Sequence, residues 1–290
     1  MAKKMKIAVI GANGQLGIDI CRAFRENDHE VIELNHSTLD VADGEAVSST
    51  LRALQPSLVV NTAAMHNVDA CEADPAKSFA VNGIGARNLA IAANEQKATL
   101  FHLSSDYVFD GTKGAPYVEN DAPLPLNVYG NTKLAGEYFI RTIARQYCIV
   151  RVSGLYGKNL CRAKGGLNFV SLMLKLAKER GEVKVVDDEF VSPTFTEDVA
   201  RQIVHMAGSQ AYGIYHATSQ GSCSWYEFAA KIFELTNTAV KLTAAAPGEF
   251  PAKVPRPKYS VLENAGLKST GLDIMPPWQD GLTRYLKSTG

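Results

Sequence analysis

Tyr129 and Lys133 stand four residues apart in the stretch NVYGNTKLAGE, Asn127 to Glu137. Residues at i and i+4 of a helix share a face, so a phenol and an ammonium here can converge on one atom. The chemistry open to them is proton donation to a carbonyl oxygen, with the ammonium stabilising the phenolate left behind. A solvated helix face shows the same spacing, so the pair gains meaning only from its companions. Ser104 and Ser105 provide one, because LSSDYVFDG ends a strand-like run in two hydroxyls. A hydroxyl there could bond the same carbonyl oxygen. Bringing a phenol from near ~10 down to ~7 needs roughly 4 kcal/mol of differential interaction, which one charge in a partly dry site supplies. The expectation is therefore that Lys133 lowers the Tyr129 pKa.

The elements that would position these groups alternate. KIAVIG, HEVIELN, PSLVVNTAA, ATLFHLSS and YCIVRVSG read as strands. Between the first two, Leu16, Ile20 and Phe24 mark a helix face. A further helix is expected from about Pro75 to Glu95, with Phe79, Ile84, Leu89 and Ile91 among its apolar positions. Strands alternating with helices imply right-handed βαβ units, hence an α/β fold of the Rossmann type with a doubly wound parallel sheet. After Gly154 the rhythm changes, and residues 247–277 hold six prolines. The expected division is a dinucleotide-binding domain over residues 1–154 plus about 190–218, and a smaller C-terminal substrate-binding domain over about 155–189 and 219–290. Within the latter, a helix near Val170 to Arg180, a strand VKVV and a short helix at SVLENAG are expected. GIYHATS should return to the main sheet.

GANGQLG places Gly11, Gly14 and Gly17 between the first strand and its helix. Such a turn lets backbone N–H groups approach a pyrophosphate at the positive end of the helix. An Asp or Glu at the end of the second strand would bond the adenosine 2′-hydroxyl and repel a 2′-phosphate. The chain has Asn35 followed by His36. Both NADH and NADPH therefore stay open, with NADPH favoured. The small residues of NTAA, 61 to 64, leave room for a cofactor.

Composition narrows the field. The 290 residues are 46% hydrophobic and 21% charged, ordinary for a globular protein. Thirty basic residues balance thirty acidic ones, so no net field favours nucleic acid or an anionic membrane. The apolar run Ile7 to Ile10 is too short for a signal peptide, and no 18-residue apolar stretch exists. Five scattered cysteines without a CxxC pair fit a reduced, cytoplasmic protein, and the six histidines show no metal-ligand spacing.

On these motifs the chain resembles the extended short-chain dehydrogenase/reductases, and within them the dTDP-4-dehydrorhamnose reductase group. The resemblance runs over nearly the whole chain and rests on GANGQLG, NTAAMHNVDACE, SSDYVFDG, YGNTKLAGE, RVSGLYG, SPTFTEDVA and PRPKYSVLEN. It implies that Ser105, Tyr129 and Lys133 are the catalytic hydroxyl, the proton donor and the lysine holding the nicotinamide ribose. It implies a pyrophosphate at Gly11, Gly14, Gln15 and Leu16, and the adenosine ribose at Asn35. Adenine would lie at Asp40 and Val41, with Ala63, Ala64 and Met65 along the cofactor. Ser105 and Asp106 would line the sugar site. The Asp-Glu pair of sugar-nucleotide dehydratases is missing, since Asp106 and Tyr107 follow Ser105.

Two departures bear on the substrate. Many of these reductases carry a substrate-holding Trp where this chain has Gly154. The resemblance also implies a longer loop beside it, Lys158 to Gly166, whose Lys158, Arg162 and Lys164 could meet a diphosphate. Arg256, fixed between prolines, is the stronger diphosphate candidate. The expected activity is NAD(P)H-dependent reduction of the 4-keto group of a sugar nucleotide, dTDP-4-dehydrorhamnose to dTDP-rhamnose in first place. A non-catalytic NAD(P)-binding regulatory subunit and an epimerase of the same fold remain alternatives. No metal is expected, and a homodimer is left open.

Overall fold

The run Lys6–Ile10 forms strand β1, whose last four side chains are buried, as a strand covered by helices on both faces requires. It belongs to a computed structural model that describes residues 4–160, 165–246, 248–250 and 252–289. The strands are β1, β2 (Glu30–Leu34), β3 (Leu58–Asn61), β4 (Thr99–Ser105), β5 (Tyr147–Val152), β6 (Leu155–Tyr156), β7 (Glu182–Val185), β8 (Phe190–Val191), β9 (Thr194–Phe195), β10 (Gly213–His216), β11 (Cys223–Ser224) and β12 (Lys241–Ala244). The helices are α1 (Gln15–Glu26), α2 (Gly44–Leu54), α3 (Val68–Ala73), α4 (Pro75–Ser78), α5 (Gly85–Gln96), α6 (Val128–Ile143), α7 (Phe169–Arg180), α8 (Thr196–Ala207), α9 (Trp225–Leu235), α10 (Ala265–Ser269) and α11 (Trp278–Thr289).

Six strands make one parallel sheet in the order β10-β5-β4-β3-β1-β2. The strand read from GIYHATS does return to it, as β10 beside β5. Alternation along each strand feeds two cores. Ile7, Val9, Val60 and Phe101 pack with Ile20 and Phe24 of α1 and Val199 and Ile203 of α8. Ala8, Ile10, Val59 and Leu100 face the other way, onto Val47 and Leu51 of α2, Leu89 of α5 and Ile140 of α6. A third core gathers Tyr156, Phe195, Val170 of α7, Phe228 of α9 and Trp278 and Leu282 of α11, beside the short pairs β7–β12 and β8–β11.

Two expected helices differ. The segment 75–95 is broken: a π-helical stretch, Phe79–Ile84, separates α4 from α5. A π turn carries extra backbone and re-aims its side chains. Phe79 and Ile84, expected on the apolar face, are 42% and 41% exposed, while Asn82 turns inward at 1%. At SVLENAG the helix starts only at Ala265. The residues before it are extended because their backbone is engaged elsewhere: Ser260 N–H donates to Phe190 O, and Val261 O accepts from Tyr117 N–H.

A polar row crosses the buried sheet. Ser104, Arg151 and His216 are register partners on β4, β5 and β10. Arg151 donates to both carboxylate oxygens of Glu137 on α6, at 2.9 and 2.6 Å, and Ser104 Oγ adds a third bond at 2.5 Å. Arg151 Nη1 lies 3.4 Å from His216 Nε2, and its guanidinium lies over the Phe109 ring. Burial, and then the Arg151 charge, push the His216 pKa down to about 3.

The fold therefore carries a neutral histidine that the unfolded chain would protonate near 6.5. Between pH 6.5 and about 3 the unfolded state binds more protons, so this residue makes stability fall as pH falls, by up to about 1.4 kcal/mol per pH unit. Urea unfolding of His216→Gln should show a shallower loss than wild type between pH 6.5 and 4.5. Parallel curves would mean that His216 does not stay neutral in the fold.

Candidate active site

β4 delivers Ser105 to the carboxyl edge of the sheet, where open α/β folds bind ligands, and the chain then turns through a single 3-10 turn, Asp106–Val108. Ser105 Oγ donates to Asp106 Oδ1 at 2.8 Å and accepts from Tyr107 N–H at 3.2 Å. Asp106 is 5% exposed, and Ser153 Oγ donates to its second oxygen at 2.8 Å. Burial raises its pKa, and hydrogen bonds from Ser260, Ser105 and Ser153 oppose the rise. Asp106 thus stands behind Ser105 as its orienting acceptor.

Helix α6 brings the phenol to this edge. Asn127 caps it, accepting from Gly130 N–H at 2.9 Å, and donates from Nδ2 to Pro255 O at 2.9 Å. One residue thereby sets the start of the helix and anchors the PRPK segment. The Tyr129 ring meets Tyr107 edge to face, with centroids 5.6 Å apart. Ser105 hydrogen-bonds the Tyr129 hydroxyl. Ser105 and Tyr129 meet, with Lys133 one turn further along α6, but the electrostatics differ from expectation. Burial raises the Tyr129 pKa, Ser105 pulls it back in part, and the negative charge of Asp106 raises it further. Lys133 points instead at the Leu103 carbonyl, 2.6 Å from Nζ, and burial pushes its own pKa down to about 8. In this structure the phenol is held protonated rather than primed as phenolate.

The glycine turn offers a cradle for a pyrophosphate. Gly11 has φ +77°, and a Cβ there would lie 2.7 Å from Ala63 N. Gly14 caps α1, and Ile18 N–H is the first to bond back, to Gly14 O. The amides of Gln15, Leu16 and Gly17 thus form the open first turn at the positive helix end. The Leu16 side chain is core, so only its backbone can serve. Gln15 is turned aside: Nε2 donates to Gly157 O and Asn159 O at 3.2 and 2.7 Å. Asn35 opens a turn, its Oδ1 accepting from Ser37 N–H and Oγ. Asp40 is exposed with Oδ1 bonded to Ala42 N–H, whereas the Val41 side chain packs into the core. Ala63, Ala64 and Met65 are half-buried. Asn82, released inward by the π turn, accepts from Met65 N–H and donates to Met65 O, both at 2.9 Å.

The substrate side is mixed. Arg256 is 3.9 Å from Asp69 and its charge acts on Tyr107, the edge-to-face neighbour of Tyr129, and on Glu189. Arg162 and Lys164 lie outside the described residues. Lys158 is paired with Glu197 at 2.8 Å. Gly154 has φ +57°, and a Cβ on it would meet Val191 Cγ2 at 2.8 Å and Ser192 O at 3.0 Å. Sequence reasoning passed over Asn82, His102, Glu137, Arg151 and Ser153. Arg151 and His102 were detectable as polar interruptions of buried parallel strands, and Glu137 as the next i+4 step after Tyr129 and Lys133.

A family model described as the RmlD substrate binding domain matches residues 5–290. The chain is 39% identical to the spore coat polysaccharide biosynthesis protein SpsK of Bacillus subtilis, over 97% of both chains. It is 35% identical to the dTDP-4-dehydrorhamnose reductase of Escherichia coli, again over 97% of both. The crystal structure of dTDP-4-dehydrorhamnose reductase from Bacillus anthracis in complex with NADP superposes with a TM-score of 0.94 at 37% identity, covering 99% of this chain and 100% of the other. The chain belongs to the RmlD substrate-binding-domain family.

Gly154 yields a direct test. A side chain here would hold a left-handed backbone at a cost of about 1–3 kcal/mol and press on the Val191–Pro193 segment. Gly154→Ala should lower the unfolding free energy by at least that range, and Gly154→Trp by more. Thermal unfolding of either variant at the wild-type temperature would contradict this placement.

Proposed function

We propose that this chain is an NAD(P)H-dependent reductase that reduces the 4-keto group of a nucleotide-linked deoxysugar, dTDP-4-dehydrorhamnose to dTDP-rhamnose. The observation that carries the reading is the bond between Ser105 and Tyr129 at the carboxyl edge of β4, with Lys133 one turn along α6 and tied to the same strand at Leu103 O. The named reductase activity of relatives similar over nearly their full length supports it.

The residues fit a dinucleotide. The Gly11 turn and the open amides of α1 suit the pyrophosphate, and the Asn35 turn presents no carboxylate to a 2′-phosphate. NADPH is the favoured form, in keeping with the NADP in the Bacillus anthracis structure. When bound, the nicotinamide supplies the hydride for the keto carbon. Tyr129 gives its proton to the keto oxygen as negative charge develops there, and Ser105 Oγ donates a hydrogen bond to the same atom. A phenol whose pKa is raised by burial is in the right form for that donation across the neutral range. Ser105 has one hydroxyl proton, which rests on Asp106 Oδ1 and must turn from it to the keto oxygen when substrate binds, and Lys133 supplies positive charge beside the phenolate. Residues 1–154 with about 190–218 hold the cofactor in this reading. Those at about 155–189 and 219–290, built around the third core, cover the sugar nucleotide, with Arg256 at the diphosphate.

The protein should oxidise NADPH when offered dTDP-4-keto-6-deoxyhexoses, and Tyr129→Phe should lower kcat by roughly 10²–10⁴-fold with NADPH affinity nearly intact. A variant that kept most of its turnover would remove Tyr129 from the chemistry. Failure of the wild type with every 4-keto sugar nucleotide would remove the reductase reading.

Asn35→Asp should move cofactor preference towards NADH by setting a charge against the 2′-phosphate. The ratio of kcat/KM for the two cofactors measures this. A wild type that already prefers NADH strongly would refute the assignment.

A further inference from the structure

Lys133 is seated against two groups of β4. Its Nζ donates to Leu103 O at 2.6 Å and lies 3.4 Å from His102 Nε2. His102 is 1% exposed, and its register partner on β3 is Asn61, 3% exposed, with Asn61 Nδ2 2.9 Å from His102 Nδ1. The direction of the Asn61 amide is fixed by the backbone. Ala63 N–H can only donate, so the Asn61 atom facing it at 3.1 Å is the carbonyl oxygen. The amide NH₂ must then face Nδ1, and Nδ1 must accept. A neutral imidazole carries one proton, which this leaves on Nε2, directed at Lys133. Burial, and then the Lys133 charge, keep the ring well below its ordinary pKa, so it stays neutral.

Resting on the reading of Lys133 as the lysine of the active site, we propose that Asn61 and His102 are positioning residues: by holding the imidazole as its Nε2–H tautomer they set a hydrogen-bond donor behind Lys133 and favour its amine over its ammonium. The amine accepts the bond from Nε2–H and still donates to Leu103 O. The ammonium keeps only the second bond and faces a donor. Other groups around the amine act in known directions. Glu137, one turn along α6, draws a proton towards Lys133, but its carboxylate is shared with Arg151 of β5 and Ser104 of β4. Tyr129 lies one turn earlier, with Ser105, Asp106, Tyr107 and Cys71 of α3 about its hydroxyl. The result is a lysine that still carries its positive charge at neutral pH but gives it up near 8, so the His102 donor sets the pH at which the charge beside the phenolate is lost. Burial by itself already depresses the Lys133 pKa to about 8, against the pull of Glu137, and the His102 donor acts in the same direction as burial.

The tautomer can be read on the wild-type protein without substrate, from long-range ¹H–¹⁵N correlations of ¹⁵N-histidine-labelled protein between pH 6 and 8. The expected result is a pyrrole-type Nε2 and a pyridine-type Nδ1 for His102 throughout. A protonated Nδ1, or an imidazolium, overturns the proposal. Asn61→Asp supplies the second readout. A carboxylate keeps an acceptor for Ala63 N–H and offers its other oxygen to Nδ1, which draws the ring proton there and turns the Nε2 lone pair to Lys133. The alkaline midpoint of the kcat profile, expected near 8 in wild type, should rise by at least about one unit, tenfold in the proton affinity of the amine. An unchanged midpoint, or an equal rise in Asn61→Asp with His102→Phe, where only the added charge can act, overturns the relay. Absence of reductase activity in the wild type bears on the proposed function alone, since the tautomer measurement does not depend on turnover.

Discussion

The ion pair between Arg151 and Glu137 is the constraint around which the site is assembled. Both side chains are almost wholly buried, at 2% and 1% exposure. Charges so placed are tolerable only when every lone pair and proton finds a partner, and removing one member of such a pair typically costs about 3–5 kcal/mol. Here Ser104 completes the carboxylate and His216 stands beside the guanidinium. The pair joins β4, β5, β10 and α6, and it permits one rotation of α6 about its axis. Tyr129 and Lys133 lie on the same face as Glu137, two turns and one turn earlier respectively, so the rotation that satisfies Glu137 also aims the phenol and the amine.

Burial then does the electrical work. It holds the Tyr129 phenol protonated, lifts Asp106, and depresses both Lys133 and His102. In each case the ionised form is the one that loses most by leaving water. The Tyr129 phenol therefore rests protonated, a state suited to giving away one proton as charge develops on a substrate oxygen, beside a neutral His102.

The cofactor turn is tied to the substrate side by a second charged cluster. Asp19 of α1, 1% exposed, accepts from Thr196 Oγ1 at 2.5 Å, Arg22 at 2.8 Å and Asn159 at 3.2 Å. Glu197 of α8 receives both Arg22 and Lys158 at 2.8 Å. Together with the two bonds from Gln15, these contacts fasten residues 157–159 onto the start of α1. The basic loop read from the sequence as a diphosphate contact is, at Lys158, part of this fastening.

Much of this was legible in the chain itself. Periodicity separated strands from helices, because a two-sided parallel sheet needs continuous apolar runs. The glycines of the first turn and the Tyr129–Lys133 spacing follow from local geometry, which sequence encodes directly. The family pattern carried Ser105 and Asp106. What sequence could not supply were relations between residues distant along the chain. The break at Phe79–Ile84 exists because Asn82 must reach Met65, and SVLENAG is extended because Phe190 and Tyr117 claim its backbone. The direction in which Lys133 points depends on His102, Leu103 and Asn61, which only strand pairing brings behind it. Residue types and spacings determined which groups could react; their protonation was decided by burial and by partners that only the folded sheet places within reach.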